Sequence, residues 1–296
     1  MAKLIRGTSK NARFFVVDST EVVQKALDIH KCSPTAIDAF GRMLTAGIIM
    51  GASLKGEDLL TIKTETDGPL NSILVTADAN GTVKGYLSDP NADLPLKDNR
   101  TTNVSGLIGK GSIRIIRDMG LREPYIGVSE IQSGGIAEDL AYYYYTSEQI
   151  PTVLALGVSL KDNNTIRSAG GYMVQLLPYA QEEFTQLLED KLKAIRPMTE
   201  LLNGGMDPAR IVRLLYDDMT DSGNKVVEDY KILEEKDVSY SCNCNKDRFY
   251  RGLITLGKAE LTKIFTEQPA IEVECHFCKK KYQYTKDEFK EILEAK

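Results

Sequence analysis

Apolar residues follow two different rhythms along this chain, and the change comes near residue 178. Before it, residues 14–17 form a short apolar run that predicts a strand, and Asp18, Ser19 and Thr20 beyond it are candidate helix caps. Val22, Val23, Ala26, Leu27 and Ile29 then mark one helix. Ser33-Pro34 opens a second, as an N-cap followed by proline at the first helical position. Ile37, Phe40, Leu44 and Ile48 sit among small residues in that helix, which predicts burial among neighbours.

Strand-like segments follow at 59–66, 72–77 and 82–87, with Asn80-Gly81 as a hairpin signal. Residues 112–116 alternate, and 125–131 are a candidate partner for them. A helix is expected over about 136–146, carrying the run Tyr142 to Tyr145. Strands at 151–160 and 165–177 are joined by Lys161-Asp162-Asn163-Asn164. Helices and strands are grouped rather than alternating, which predicts an α+β fold over a doubly wound sheet.

From 178 to 236 the period becomes helical, and the segment carries 13 acidic against 8 basic residues. Phe184, Leu187, Leu188, Leu192 and Ile195 share one face. Asn203-Gly204-Gly205 interrupts, and Asp207-Pro208 starts another helix with Ile211, Leu214 and Leu215 on its apolar side. Such short amphipathic helices are marginal in water unless they rest on something. Farther on, 270–274 and 281–284 alternate as two strands. Thr285 and Glu288 form a capping box for a last helix bearing Phe289, Ile292 and Leu293. The expected organisation is an α+β core domain over 1–178, a helical linker over 179–236 and a small cysteine-bearing domain over 237–296.

Composition narrows the function. The 296 residues are 42% hydrophobic and 27% charged, as in an ordinary globular protein, with a net charge of −5 that disfavours a generic nucleic-acid binder. The first twenty residues lack the apolar stretch of a signal peptide, and 46–54 is too short to span a membrane. A soluble protein of the cytosol is expected, where thiols stay reduced.

That compartment gives the cysteines their meaning. Four of the five fall within 37 residues, as Cys242-Asn243-Cys244 and Cys275-His276-Phe277-Cys278, separated by 30 residues. Four thiolates supply a closed tetrahedral shell for one structural Zn²⁺, and each closely spaced pair chelates at little backbone cost. Zinc binding would also contribute folding energy to a domain with few large apolar residues. Neighbouring thiols can instead oxidise to a disulfide, removing two ligands at once. Lys246, Arg248 and Arg251 follow the first pair and Lys279, Lys280 and Lys281 the second, where positive charge favours the thiolate; the same residues also read as an ordinary solvated surface. His276 reads as a spacer rather than a ligand, and His30 and Cys32 as structural. With two histidines and no nucleophile–base pair, hydrolytic chemistry has little to work with. Gly106 to Ser112 lacks the residue order of a phosphate loop, so ATP-independent action is expected.

These residues together resemble heat shock protein 33, the redox-regulated chaperone family of the bacterial cytosol. The C-x-C and C-x-x-C pairs carry the likeness at the C-terminus. Gly85-Tyr86-Leu87, Pro124-Tyr125-Ile126-Gly127-Val128, the stretches 136–141 and 146–151, and Ala169-Gly170-Gly171 running to Pro178 carry it elsewhere. Lys84 stands where the family pattern leads one to expect arginine. The resemblance implies a holdase, not an enzyme, inactive while Cys242, Cys244, Cys275 and Cys278 hold one zinc. Activation would follow oxidation to Cys242–Cys244 and Cys275–Cys278 disulfides, zinc release and opening of the linker. Implied partners are unfolding or oxidatively damaged clients and, on activation, a second copy, with no nucleotide, nucleic acid or membrane. Two rivals remain open on the residues alone: a zinc ribbon that binds nucleic acid, and a zinc enzyme using the N-terminal domain.

Overall fold

A computed structural model describes residues 2–217, 219 and 229–294. It divides into two compact units, Met1–Tyr240 and Ser241–Lys296.

The first unit begins with a hairpin, β1 (Lys3–Ser9) and β2 (Ala12–Asp18), followed by α1 (Thr20–His30) and α2 (Pro34–Gly51). The Ser33 hydroxyl accepts the Ala36 N–H at 3.2 Å, the expected cap ahead of Pro34. Strands β3 (Leu59–Thr66), β4 (Ile73–Asp78) and β5 (Thr82–Leu87) form a meander. After the short α3 (Val104–Ile108) come β6 (Gly111–Asp118) and β7 (Tyr125–Glu130), then α4 (Ala137–Tyr143), which widens into one π-helical turn over Tyr144–Glu148. The hairpin β8 (Thr152–Asp162) and β9 (Thr165–Leu176) precedes three helices, α5 (Glu182–Ala194), α6 (Met198–Asn203) and α7 (Pro208–Tyr216). The unit closes with β10 (Tyr230–Asp237) and β11 (Ser239–Tyr240).

Two sheets result, ordered β10-β1-β2-β9-β8 and β11-β5-β4-β3-β6-β7. Helices α1 and α2 lie between them, and all of α2 except Pro34 and Arg42 is buried. Its small residues allow that approach: a Cβ on Gly47 would sit 2.7 Å from the Val75 side chain on β4. The five-stranded sheet is buried on both faces, which explains the unbroken apolar run of β2. Phe15 and Val17 enter the core shared with α1 and α2, while Phe14 and Val16 face a second core. That second core is completed by Tyr172 and Val174 of β9 and by the apolar stripes of α5 to α7, including Phe184, Leu188, Leu201, Ile211 and Leu215.

The helical expectation over 179–236 therefore holds for α5, α6 and α7 and fails at its end, where Tyr230–Asp237 is a strand. Residues 218 and 220–228 of that segment lie outside the described residues. The failure has a tertiary cause. Strand β10 is a sheet edge whose charges pair across β1, with Glu234 against Arg6 at 2.7 Å and Glu235 against Lys3.

The segment from β10 to β11 is then an edge strand of both sheets in turn, antiparallel to β1 and parallel to β5. Its last residue is pinned. The Tyr240 hydroxyl donates to the Gly85 carbonyl at 2.8 Å, accepts the Gly85 N–H at 3.3 Å and lies 3.0 Å from His30 Nε2. His30 is buried and meets Phe40 edge-on, a structural role as expected. Tyr240→Phe keeps the ring and removes these bonds; it should cost about 1–3 kcal/mol in urea unfolding of the first unit. A change under a few tenths of a kcal/mol would show that the hydroxyl holds nothing.

Candidate metal centre

The second unit is built on helices α8 (Lys246–Ile254) and α9 (Gly257–Glu267), the hairpin β12 (Ala270–Glu274) and β13 (Lys281–Thr285), and α10 (Lys290–Glu294). The helices α8 and α9 were not read from the sequence. The capping box is present, with Glu288 accepting the Thr285 N–H at 2.9 Å, though it opens a 3₁₀ turn before α10. The core is small. Leu261, Ile271, Tyr282, Tyr284 and Phe289 are its buried members.

Cys275 and Cys278 lie in the turn joining β12 to β13. Backbone bonds from the Cys275 N–H to the Lys280 carbonyl (2.9 Å) and from the Lys279 N–H to the Cys275 carbonyl (2.8 Å) tighten that turn, and Lys279 takes the left-handed conformation it requires. Cys242 and Cys244 lie in the extended segment before α8, which Asn245 caps by accepting the Arg248 N–H at 2.8 Å. The two pairs meet. Cys242 Sγ is 3.8 Å from Cys275 Sγ and Cys244 Sγ is 3.3 Å from Cys278 Sγ, and all four sulfurs lie within 4.8 Å of one another.

A tetrahedral zinc with sulfurs at about 2.3 Å requires sulfur–sulfur edges of about 3.8 Å. The donor set and its spacing therefore fit a closed four-thiolate site. The four thiols are free of disulfides, as is Cys32. His276 occupies the turn between two ligands without joining the donor group. Cys32 is buried beneath the first unit's helices, and burial pushes its thiol up to about 12, which makes it inert.

The four sulfurs are not equivalent. Burial pushes Cys278 up to about 12 and also raises Cys242. Burial acts on Cys244 in the same sense, but hydrogen bonds from the Tyr282 hydroxyl (3.2 Å) and from the neighbouring thiols outweigh it and bring Cys244 down to about 7. Tyr282 also donates to the Cys244 carbonyl at 3.0 Å, so one side chain orients both ends of this residue. Sequence reasoning missed Tyr282; the alternation of 281–284 places it on the buried face but does not say what it reaches.

The neighbouring lysines prove to be largely committed elsewhere. Lys246 pairs with Glu288 at 2.7 Å, Lys279 with Glu274 at 3.2 Å and Lys281 with Glu272 at 2.7 Å, while Lys280 lies over the Tyr282 ring. Hydrogen bonding within the cluster, more than adjacent positive charge, lowers the Cys244 thiol. The glycine-rich stretch 106–112 is likewise structural: it ends α3, turns through a left-handed Gly109 and enters β6.

Comparison with known proteins covers nearly the whole chain. The family model described as Hsp33 protein matches residues 3–285. A 33 kDa chaperonin of Clostridium perfringens is 41% identical, over 99% of this chain and 92% of its own length. One from Lachnoclostridium phytofermentans is 40% identical, over 98% and 97%. The crystal structure of the 33 kDa chaperonin from Thermotoga maritima superposes with a TM-score of 0.88 at 30% identity, covering 98% of this chain and 97% of that one.

Proposed function

The chain belongs to the Hsp33 family, and from that membership and the thiol geometry we propose that it is an ATP-independent holdase chaperone gated by cysteine oxidation. The observation that carries this reading is four sulfurs converging at zinc-site spacing in a unit whose apolar cluster, among the described residues, has five buried members. Bound to all four thiolates, one Zn²⁺ would supply the folding energy that so small a core lacks.

The protein's own residues perform the rest. In the reduced cytoplasm, Cys242, Cys244, Cys275 and Cys278 remain thiolate ligands and the chaperone is silent. A peroxide meets one sulfur of a pair first. One thiolate attacks the peroxide oxygen, giving a sulfenic acid and a hydroxide or alkoxide that takes a proton from solvent. The neighbouring thiolate then displaces hydroxide, which solvent also protonates, and closes the S–S bond, so each pair surrenders two electrons to the peroxide while solvent supplies two protons. Disulfides Cys242–Cys244 and Cys275–Cys278 leave no donor set, and the second unit unfolds.

The element then released is α5 to α7. These helices are 13, 6 and 9 residues long, too short to persist alone, and their stability comes from the second core. Lifting them exposes apolar surface on the helices and on the outer face of the five-stranded sheet, which suits capture of unfolding chains. Activation is accompanied by pairing with a second copy. The rival zinc-ribbon reading asks for cations free to meet phosphates, whereas Lys246, Lys279 and Lys281 are already paired with carboxylates.

The test is light scattering from a thermally unfolding client without nucleotide, comparing reduced, metal-loaded protein with peroxide-oxidised, metal-free protein. Only the oxidised form should suppress aggregation. Equal suppression by both would remove the redox gate, and suppression by neither would remove the chaperone.

A further inference from the structure

Two tyrosines of β13, Tyr282 and Tyr284, sit two residues apart and share its buried face. Each sends its hydroxyl out of the hairpin to the segment that follows Cys242. Tyr284 donates to the Lys246 carbonyl at 2.6 Å and Tyr282 to the Cys244 carbonyl at 3.0 Å, so the spacing of the donors matches that of the acceptors. Among the described residues the sheet of this unit holds β12 and β13 alone. The two tyrosines therefore do for the halves of the metal centre what a backbone ladder would otherwise do.

The two hydroxyls differ in one respect. Tyr282 also lies 3.2 Å from Cys244 Sγ, whereas Tyr284 sits against the rings of Tyr250 and Phe289. The Tyr282 ring packs on that of Phe249 of α8, 5.2 Å between centroids, and Lys280 Nζ lies over it at 5.4 Å. Packed in this way, the hydroxyl is fixed beside the sulfur.

What passes between them depends on what the sulfur carries. A thiol has a proton of its own to donate. A thiolate bound to a metal has none, so any hydrogen bond across that gap is donated by the tyrosine, whose single proton is then shared between the sulfur and the Cys244 carbonyl. A charged sulfur accepts such a bond strongly. A disulfide sulfur carries no charge and accepts weakly, and the proton returns to the carbonyl. The hydroxyl thus favours the ligating form of Cys244 over the oxidised form. While engaged, it also draws charge from the lone pairs that would attack a peroxide.

We propose that Tyr282 is a positioning residue of the redox gate, whose hydroxyl holds Cys244 as a metal ligand and sets how fast peroxide opens the site. This rests on the metal-centre and redox-gate readings above and names what regulates them. The full chain is loaded with Co²⁺, whose sulfur-to-metal charge-transfer band reports the charge left on the thiolates, and separately with Zn²⁺. Tyr282→Phe removes the bond to sulfur. Tyr284→Phe removes the matching bond to a carbonyl and is the control for lost anchoring. Tyr282→Phe should move the band to lower energy, because a sulfur without its hydrogen bond gives up an electron more readily. It should also speed zinc release by peroxide about tenfold, the lower end of what groups behind metal ligands contribute. Tyr284→Phe should leave the band in place and release zinc at close to the wild-type rate. An unmoved band in Tyr282→Phe, or equal acceleration by both variants, overturns the proposal; the second result would make Tyr282 an anchor and nothing more. Wild type that shows no thiolate band with Co²⁺ overturns the metal centre itself, and the proposal with it. Should Tyr282→Phe take up no metal, the wild-type chain is made with 3-fluorotyrosine, which puts a stronger donor at the same place. Its band should move to higher energy, and no movement overturns the proposal.

Discussion

Replacing Cys275 and Cys278 together by serine should leave a protein that purifies without stoichiometric metal, with residues 241–294 unfolded, α5 to α7 released and the core shared by α1 and α2 intact. The remaining thiols, Cys242 and Cys244, form half a tetrahedral shell. Structural zinc in small modules contributes roughly 10–16 kcal/mol of apparent binding energy, which is also folding energy. Nothing else in the second unit approaches that sum. Its buried core is five side chains, and its ion pairs are surface pairs of the kind worth little. Metal per chain by mass spectrometry should fall from about one to near zero, and amide exchange over β12 and β13 should become fast. A protected hairpin in the metal-free variant would refute the account.

The same site should lose metal on acidification of the wild type, because binding displaces thiol protons. Burial holds those of Cys242 and Cys278 above the ordinary thiol range, so the sulfurs are firm proton acceptors. As pH falls, protons compete more strongly and apparent affinity declines.

Phe184→Ala should release α5 to α7 without any oxidant. Phe184 is fully buried in the second core, with its ring stacked 6.5 Å from that of Tyr216, while Tyr216 lies 5.0 Å from Phe14 of β2. Truncating a buried phenylalanine costs about 3–5 kcal/mol through lost burial and the cavity left behind. Helices this short have no reserve of local stability to absorb such a loss. Exchange protection should drop across 182–216 and persist in α2, which belongs to the other core. Binding of an apolar dye and client protection should both rise in fully reduced, metal-loaded protein. If dye binding stays at the wild-type level while 182–216 is open, the helices do not cover the client surface.

Much of this architecture was legible beforehand, for physical reasons that vary by element. Strands β3 and β5 and the start of α2 are written locally, through alternation and through Ser33-Pro34, and the structure places them as read. The cysteine pairs were legible because ligand chemistry demands close spacing. Strand β1 was missed because its run KLIRGTS, interrupted by Gly7, mixes apolar and polar residues without strict alternation; Leu4 and Ile5 enter opposite cores. Strand β10 was read as helix because its charges mimic an amphipathic pattern, and they make sense only beside Arg6 and Lys3, more than two hundred residues away in sequence. Helices α8 and α9 were missed for want of apolar periodicity, since most of their residues are exposed and only Leu261 is fully buried. Tyr282 shows the remaining limit. Its position on a strand face was readable, but its role depends on where Cys244 comes to rest.

One consequence of the way residues 230–240 border both sheets concerns where the polypeptide can be divided. A recombinant fragment stopped after α7 would strip β1 of one neighbour and β5 of another, leaving two long raw margins facing water. Such margins recruit strands from other molecules, so the shortened product would precipitate or form spurious assemblies irrespective of its chaperone chemistry. The smallest well-behaved piece of the first unit must run through Tyr240.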